Sequence, residues 1–101
     1  MFYIYILFSE TLNKYYIGQS QDPWKRLKQH NENLSDKFTG KAKDWVLKAV
    51  FKVSDKRADA IAIERFIKNQ KSKKFIEKLI DPSTELVGVL AQLIRVPHVR
   101  D

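Results

Sequence analysis

The stretch Phe2-Tyr3-Ile4-Tyr5-Ile6-Leu7-Phe8, answered by Lys14-Tyr15-Tyr16-Ile17-Gly18-Gln19, decides how this chain folds. The first run is aromatic and aliphatic throughout, the composition of a buried strand. Alternation puts Phe2, Ile4, Ile6 and Phe8 on one side and Tyr3 and Tyr5 on the other. Ser9 to Asn13 is polar and reads as a turn, so the two runs are expected to form an antiparallel hairpin. Tyr16 and Gly18 share a face of the second strand. If that face is also Tyr5's, the two tyrosines are cross-strand neighbours; the sequence leaves the register open.

Working outward, Asp22-Pro23 opens a helix, with an acceptor side chain at the N-cap and proline at the first helical position. The helix is expected to run to about Asn31, which sets Arg26 and His30 one turn apart on one face. Asn33 to Asp44 is polar and reads as a loop. Trp45 to Val53 alternates, predicting a third strand with Trp45, Leu47, Ala49, Phe51 and Val53 on one face. Ser54 or Asp55 is expected to cap a helix from Lys56 to Asn69, with Ala60, Ile63 and Ile67 as its buried stripe. A short helix from Ser72 to Ile80 follows, and Asp81-Pro82 stops it. The expectation is an α+β domain over residues 1–81, a three-stranded antiparallel sheet flanked by helices. Residues 82–101 are read as a tail. It either forms one more helix, with Leu86, Leu90 and Leu93 on one face, or is disordered, or docks on a partner.

The chain of 101 residues suits one domain with a modest core. Its net charge is +7 and its pI about 9.7, which favours an anionic partner such as nucleic acid. The charge is concentrated. Lys14 to Lys78 holds 17 of the 19 basic residues against 8 acidic ones, a local net of +9, while the two ends are slightly acidic. The tail is therefore expected to add nothing to binding an anion. Absence of cysteine removes disulfides, thiolate zinc sites and cysteine nucleophiles, and fits a cytoplasmic location. The apolar runs Phe2–Phe8 and Leu86–Ile94 are too short to span a membrane, so no membrane association is expected. The sequence leaves the oligomeric state open, a monomer included.

Phosphodiester hydrolysis needs an activated water, positive charge on the scissile phosphate and help for the leaving oxygen. A hard divalent ion supplies much of the last two, and one carboxylate suffices to hold it beside substrate oxygens and water. Glu64 is a carboxylate in a suitable place: of its helical neighbours Ala60, Ile61, Ile67 and Lys68, three are apolar. The i, i+4 pair with Lys68 also accounts for it as a helical salt bridge. Tyrosine becomes usable as a base when its hydroxyl is hydrogen-bonded or lies near cations, a role Arg26 and His30 can serve for Tyr5 and Tyr16. Arg26 suits phosphate oxygens through its planar fork. His30 can orient water or protonate a leaving oxygen. Gly18, lacking a side chain beside Tyr16, leaves room for a phosphate or the first helix to approach.

Tyr3-Ile4-Tyr5 and Tyr16-Ile17-Gly18, ten residues apart, followed by Arg26, His30 and Glu64, resemble the motifs of the GIY-YIG endonuclease superfamily in its small stand-alone bacterial branch. The resemblance runs from Phe2 to Ile80. It implies that Tyr5, Tyr16, Arg26 and His30 are the catalytic set, with Tyr16 as general base, and that Glu64 binds Mg2+ or Mn2+. It also implies DNA strand cleavage leaving a 3′-hydroxyl, in a setting such as DNA repair. The first motif begins with Tyr3 where glycine is usual. The asparagine that many relatives place after the metal-binding glutamate has no clear counterpart. The matching region is the lysine-rich Lys68 to Lys74, so Lys68, Lys71 and Lys74 join Gly18 as candidates for substrate contact.

The expected function is thus a metal-dependent DNA endonuclease without strong sequence specificity, since no separate recognition domain accompanies the motifs. Two other readings differ in kind. A non-catalytic nucleic-acid-binding module would keep the charge but lose one of Tyr5, Tyr16, Arg26 or Glu64. An interaction protein would use the apolar tail and show no response to metal.

Overall fold

Apolar side chains on both faces put the first strand in the middle of the sheet. In the computed structural model, which describes residues 1–32 and 42–98, β1 (Phe2–Ser9) lies between β2 (Lys14–Ser20) and β3 (Val46–Ser54) and is antiparallel to both. Helices α1 (Pro23–Glu32), α2 (Arg57–Asn69) and α3 (Lys73–Ile80) flank them. This is the α+β architecture the sequence predicts, with one correction. The sheet has four strands, in the order β2-β1-β3-β4, because β4 (Ile94–Val96) pairs with Val50–Lys52 of β3.

The tail makes β4 rather than a helix for local reasons. Gly88 takes a left-handed φ of 62°, which interrupts a regular helix and leaves a single 3-10 turn over Gly88–Gln92. Leu90 and Leu93 still reach the core. Ile94 and Val96 are β-branched and continue as strand. Arg95 then donates to Leu79 O at 2.6 Å and Thr84 O at 3.0 Å, so its guanidinium meets the carbonyl end of α3. Residues 99–101 lie outside the described part of the chain, as do residues 33–41, most of the expected loop from Asn33 to Asp44.

Two cores sit on opposite faces of the sheet. Ile4, Ile6, Ile17, Ala49 and Phe51 pack against Ile63 and Ile67 of α2 and Leu79 of α3. Tyr5, Leu7 and Val50 join Trp45 on the other face, with Trp24 and Leu27 of α1 packed on them. The expected single face for Trp45, Leu47, Ala49, Phe51 and Val53 is corrected here, since Trp45 and Leu47 join one core and the other three join the opposite one. Ile6 pairs with Ala49 but Leu7 with Leu47, so Lys48 is an extra residue in β3. This bulge rotates the strand, sending Leu47 to the α1 core while Ala49 and Phe51 face α2.

The helix ends follow their side chains. Asp22 Oδ1 accepts from Lys25 N at 3.1 Å at the start of α1, and Ser72 Oγ from Phe75 N at 3.1 Å at the start of α3. At α2 neither expected cap holds: Lys56 is the N-cap and bonds through no side chain. Ser54 Oγ instead accepts from Lys56 N at 3.1 Å and donates to Asp59 Oδ2 at 2.7 Å, tying the turn together from two residues before the N-cap. Among the described residues no helix is long and apolar enough to cross a membrane.

Candidate active site

The hairpin register brings the motif residues together. Tyr5 pairs directly with Gly18, and Leu7 with Tyr16, so Tyr16 lies diagonally across from Tyr5 on the same face. Their ring centroids are 6.3 Å apart. Gly18 is needed at this spot for a reason the sequence did not suggest. A Cβ built there would stand 2.5 Å from both Cζ and the hydroxyl oxygen of Tyr5, so the space over Gly18 holds that phenol rather than a phosphate or a helix.

Helix α1 crosses this face and delivers His30. The imidazole is buried, its centroid 4.7 Å from that of Tyr16 and 6.0 Å from that of Tyr5. Its Nε2 shares a hydrogen bond of 3.0 Å with the Tyr5 hydroxyl. The end of α1 is held in place by Asn31. Its Nδ2 donates to Trp45 O at 3.0 Å, and its Oδ1 accepts from Trp45 N at 2.9 Å. Both backbone groups of the buried Trp45 are thereby satisfied, each bond contributing about 1 kcal/mol.

Burial pushes the Tyr5 hydroxyl up from 10.0 to about 12. The Arg26 guanidinium draws it back by hydrogen bond and charge, whereas Tyr16 and Glu64 raise it further. Tyr5 therefore stays a neutral phenol at ordinary pH, suited to hold His30 rather than to take a proton from water. Arg26 also donates from Nη1 to Gln29 Oε1 at 2.8 Å, which fixes its fork on the sheet side of α1.

Glu64 comes from the other layer. It lies on the flank of α2, beside the buried stripe of Ala60, Ile63 and Ile67, with its side chain 19% exposed. Lys68 Nζ is 3.4 Å from Glu64 Oε1 and 5.7 Å from the centroid of the Tyr16 ring. The glutamate thus connects to the tyrosine cluster through Lys68, around the β2 edge of the sheet. A half-buried oxygen donor of this kind fits a hard divalent ion. No group of three or more His, Cys, Asp or Glu residues occurs among the described residues. A site here would have one protein carboxylate and keep water and substrate oxygens as its other ligands, the manner of Mg2+ and Mn2+.

Cations stand on both sides of the cluster. Lys25, Arg26 and Arg57 line a polar cleft of about 450 Å³ together with Gln19 and Gln29. In it Gln19 Oε1 is buried and accepts no hydrogen bond. Lys68 and Lys71 line a second, apolar cleft along β2. Lys74, also expected to contact substrate, is exposed on the first turn of α3 and lines neither cleft. The sequence reading missed Gln29, whose i, i+3 spacing from Arg26 was visible, and Gln19, which directly follows Gly18. It had no signal for Arg57 or for the Asn31–Trp45 pair, since both depend on contacts distant along the chain.

The profile of the GIY-YIG catalytic domain matches residues 1–78. No curated protein and no solved structure matches the chain.

Proposed function

The chain belongs to the GIY-YIG family of nucleases, and from that premise we propose that it is a divalent-metal-dependent DNA endonuclease without strong sequence specificity. The observation that carries the reading is the gathering of Tyr5, Tyr16 and His30 from two strands and a helix into one cluster, with Arg26 beside it and Glu64 at its edge.

In this reading Arg26 holds the scissile phosphate, its fork preset by Gln29. Tyr16 receives the proton of the attacking water, next to the Lys68 ammonium. The Tyr5 hydroxyl fixes the orientation of His30, and His30 orients the water in line with the leaving oxygen. Glu64 would hold Mg2+ or Mn2+, and such an ion would supply positive charge for the phosphate and the departing 3′ oxygen. Water adds to phosphorus as the bond to the 3′ oxygen breaks, and that oxygen takes a proton from solvent, leaving a 3′-hydroxyl and a 5′-phosphate. Backbone contacts from the flanking lysines and arginines carry no base information, which accounts for the lack of sequence preference.

One observation favours a second reading, a nucleic-acid-binding module without turnover: Lys68 already neutralises Glu64 at 3.4 Å. Incubation with plasmid, branched and single-stranded DNA, with and without Mn2+, separates the two. Metal-dependent nicking that disappears in a folded Glu64→Ala variant supports the enzyme. DNA binding without nicking under every condition supports the module. Full cleavage by Glu64→Ala removes Glu64 as the metal ligand.

A further inference from the structure

Tyr16 has two sides. One faces Tyr5 and His30; the other lines an apolar cleft of about 460 Å³ between β2 and the junction of α2 with α3. Ile17, Ile67 and Ile76 also line this cleft, with Tyr15 beside Tyr16. Its cations are Lys68 and Lys71. The volume and the character, an apolar lining with a few charged groups, are those of a small-molecule site rather than of a packing defect. Lys71 has a left-handed backbone, φ 49°, a conformation that costs a non-glycine residue about 1 kcal/mol or more. It immediately precedes the α3 N-terminus, whose free N–H groups add positive potential.

We propose that this cleft receives an unpaired nucleobase of the substrate strand, so that the protein selects DNA carrying an unpaired nucleotide next to the scissile phosphate. The inference rests on the nuclease reading for the position of the phosphate, which Arg26 holds on the Tyr5 side of Tyr16, while Glu64 stands beside Lys68 at the rim of the cleft. A base has a flat apolar face that stacks on tyrosine, and every base offers one, so the contact is tolerant of sequence. Lys68 and Lys71 complement the phosphates on either side of such a nucleotide. A base stacked in a duplex cannot enter, because the cleft takes a base only after it leaves its neighbours.

The test pairs binding with cleavage. NMR titration of the full chain compares deoxyadenosine 5′-monophosphate with 2-deoxyribose 5-phosphate, which lacks the base. The expected result is at least tenfold tighter binding of the nucleotide, with shifts at Tyr15, Ile17 and Ile76. Tyr15→Leu, which removes the ring but keeps apolar volume, and Ile76→Trp, which fills the cleft, should each lower nucleotide affinity at least tenfold. Neither should change binding of the sugar phosphate. Equal affinity for the two probes, shifts confined to other surfaces, or wild-type nucleotide binding by a folded variant overturns the proposal. Should both variants fail to fold, the two probes on the wild-type chain decide alone. In the cleavage arm, DNA with one unpaired adenine should be cut faster than a full duplex, and faster than the same DNA with an abasic residue there. Base-dependent binding without any cleavage leaves this site standing and removes the catalytic reading. Cleavage indifferent to the unpaired base removes this site and leaves the catalytic reading.

Discussion

The phenol of Tyr5 lies over Gly18, its partner on β2, so closely that a Cβ at position 18 would stand 2.5 Å from the Tyr5 hydroxyl oxygen. The same hydroxyl bonds His30 at 3.0 Å. A glycine in the sheet thereby governs where a histidine on a helix sits, through one ring.

Gly18→Ala is expected to push the Tyr5 ring off its strand. Overpacking of this kind costs about 1–3 kcal/mol, read as a lower urea midpoint. Cleavage should fall at least tenfold, because the ring cannot move without releasing His30. An alanine variant with wild-type stability and activity would show that the ring has another place to go.

Tyr16→Phe removes one hydroxyl and keeps the ring, so the packing against His30 and Trp45 holds. Single-turnover cleavage is expected to drop by roughly 10²-fold or more, the usual worth of a positioned proton acceptor. DNA affinity in a gel-shift assay should stay within about twofold, since phosphate contacts supply it. A wild-type rate would move the base to another group.

Alkaline unfolding should carry the signature of Tyr5. Its hydroxyl titrates near 10.0 in the unfolded chain and near 12 in the fold. Between those values unfolding releases a proton, so stability is intact below pH 10 and declines as pH rises toward 12. The loss is on the order of 2 kcal/mol. Lysines titrate in the same range, so the measurement is a difference: Tyr5→Phe should lose that much less than wild type in urea melts across the window. Parallel curves would contradict the assignment.

Removal of residues 83–101 takes Leu90 and Leu93 out of the core and β4 off the sheet. The truncated chain is expected to unfold or lose cooperativity. The point variant Leu90→Ala should cost about 2–5 kcal/mol by thermal or urea melting. A truncation as stable as the full chain would make the tail an ornament.

DNA binding should weaken steeply with salt. Lys25, Arg26, Arg57, Lys68 and Lys71 line the two clefts beside the tyrosines. If each meets one phosphate of a duplex, raising salt from about 50 to 200 mM lowers affinity by between two and three orders of magnitude, roughly a slope of −0.9 per contact. Salt-independent binding would mean that the contacts are not to phosphates.

The hairpin, the three helices and the grouping of Arg26 with His30 were legible because their signals are local: alternation, Asp22-Pro23 and a four-residue spacing. The proximity of Tyr5 to Tyr16 was legible only as a condition, since register depends on which strand pairs open the turn. The face of Leu47 was not legible. One inserted residue reverses alternation, and Lys48 looks like any solvent-facing lysine in a strand. The tail misled because Leu86, Leu90 and Leu93 fit a helical stripe, and all three do pack on the core. Gly88 sets their path, and its φ shows only in the backbone. Glu64 could be placed on its helix but not beside a particular strand, because its link to Tyr16 passes through Lys68 and around the sheet edge.

The bulge at Lys48 also fixes how the chain tolerates lengthening and shortening. Everything on its N-terminal side, including Trp45, is phased by that single added position. Loss of one residue from β3 would swing Trp45 away from Asn31 and shift the end of α1 that carries His30. The strand works like a reading frame: a substitution there is a local event, whereas an insertion or deletion is felt at the histidine. Variation in length is therefore expected to be purged from β3 even where its side chains are free to change.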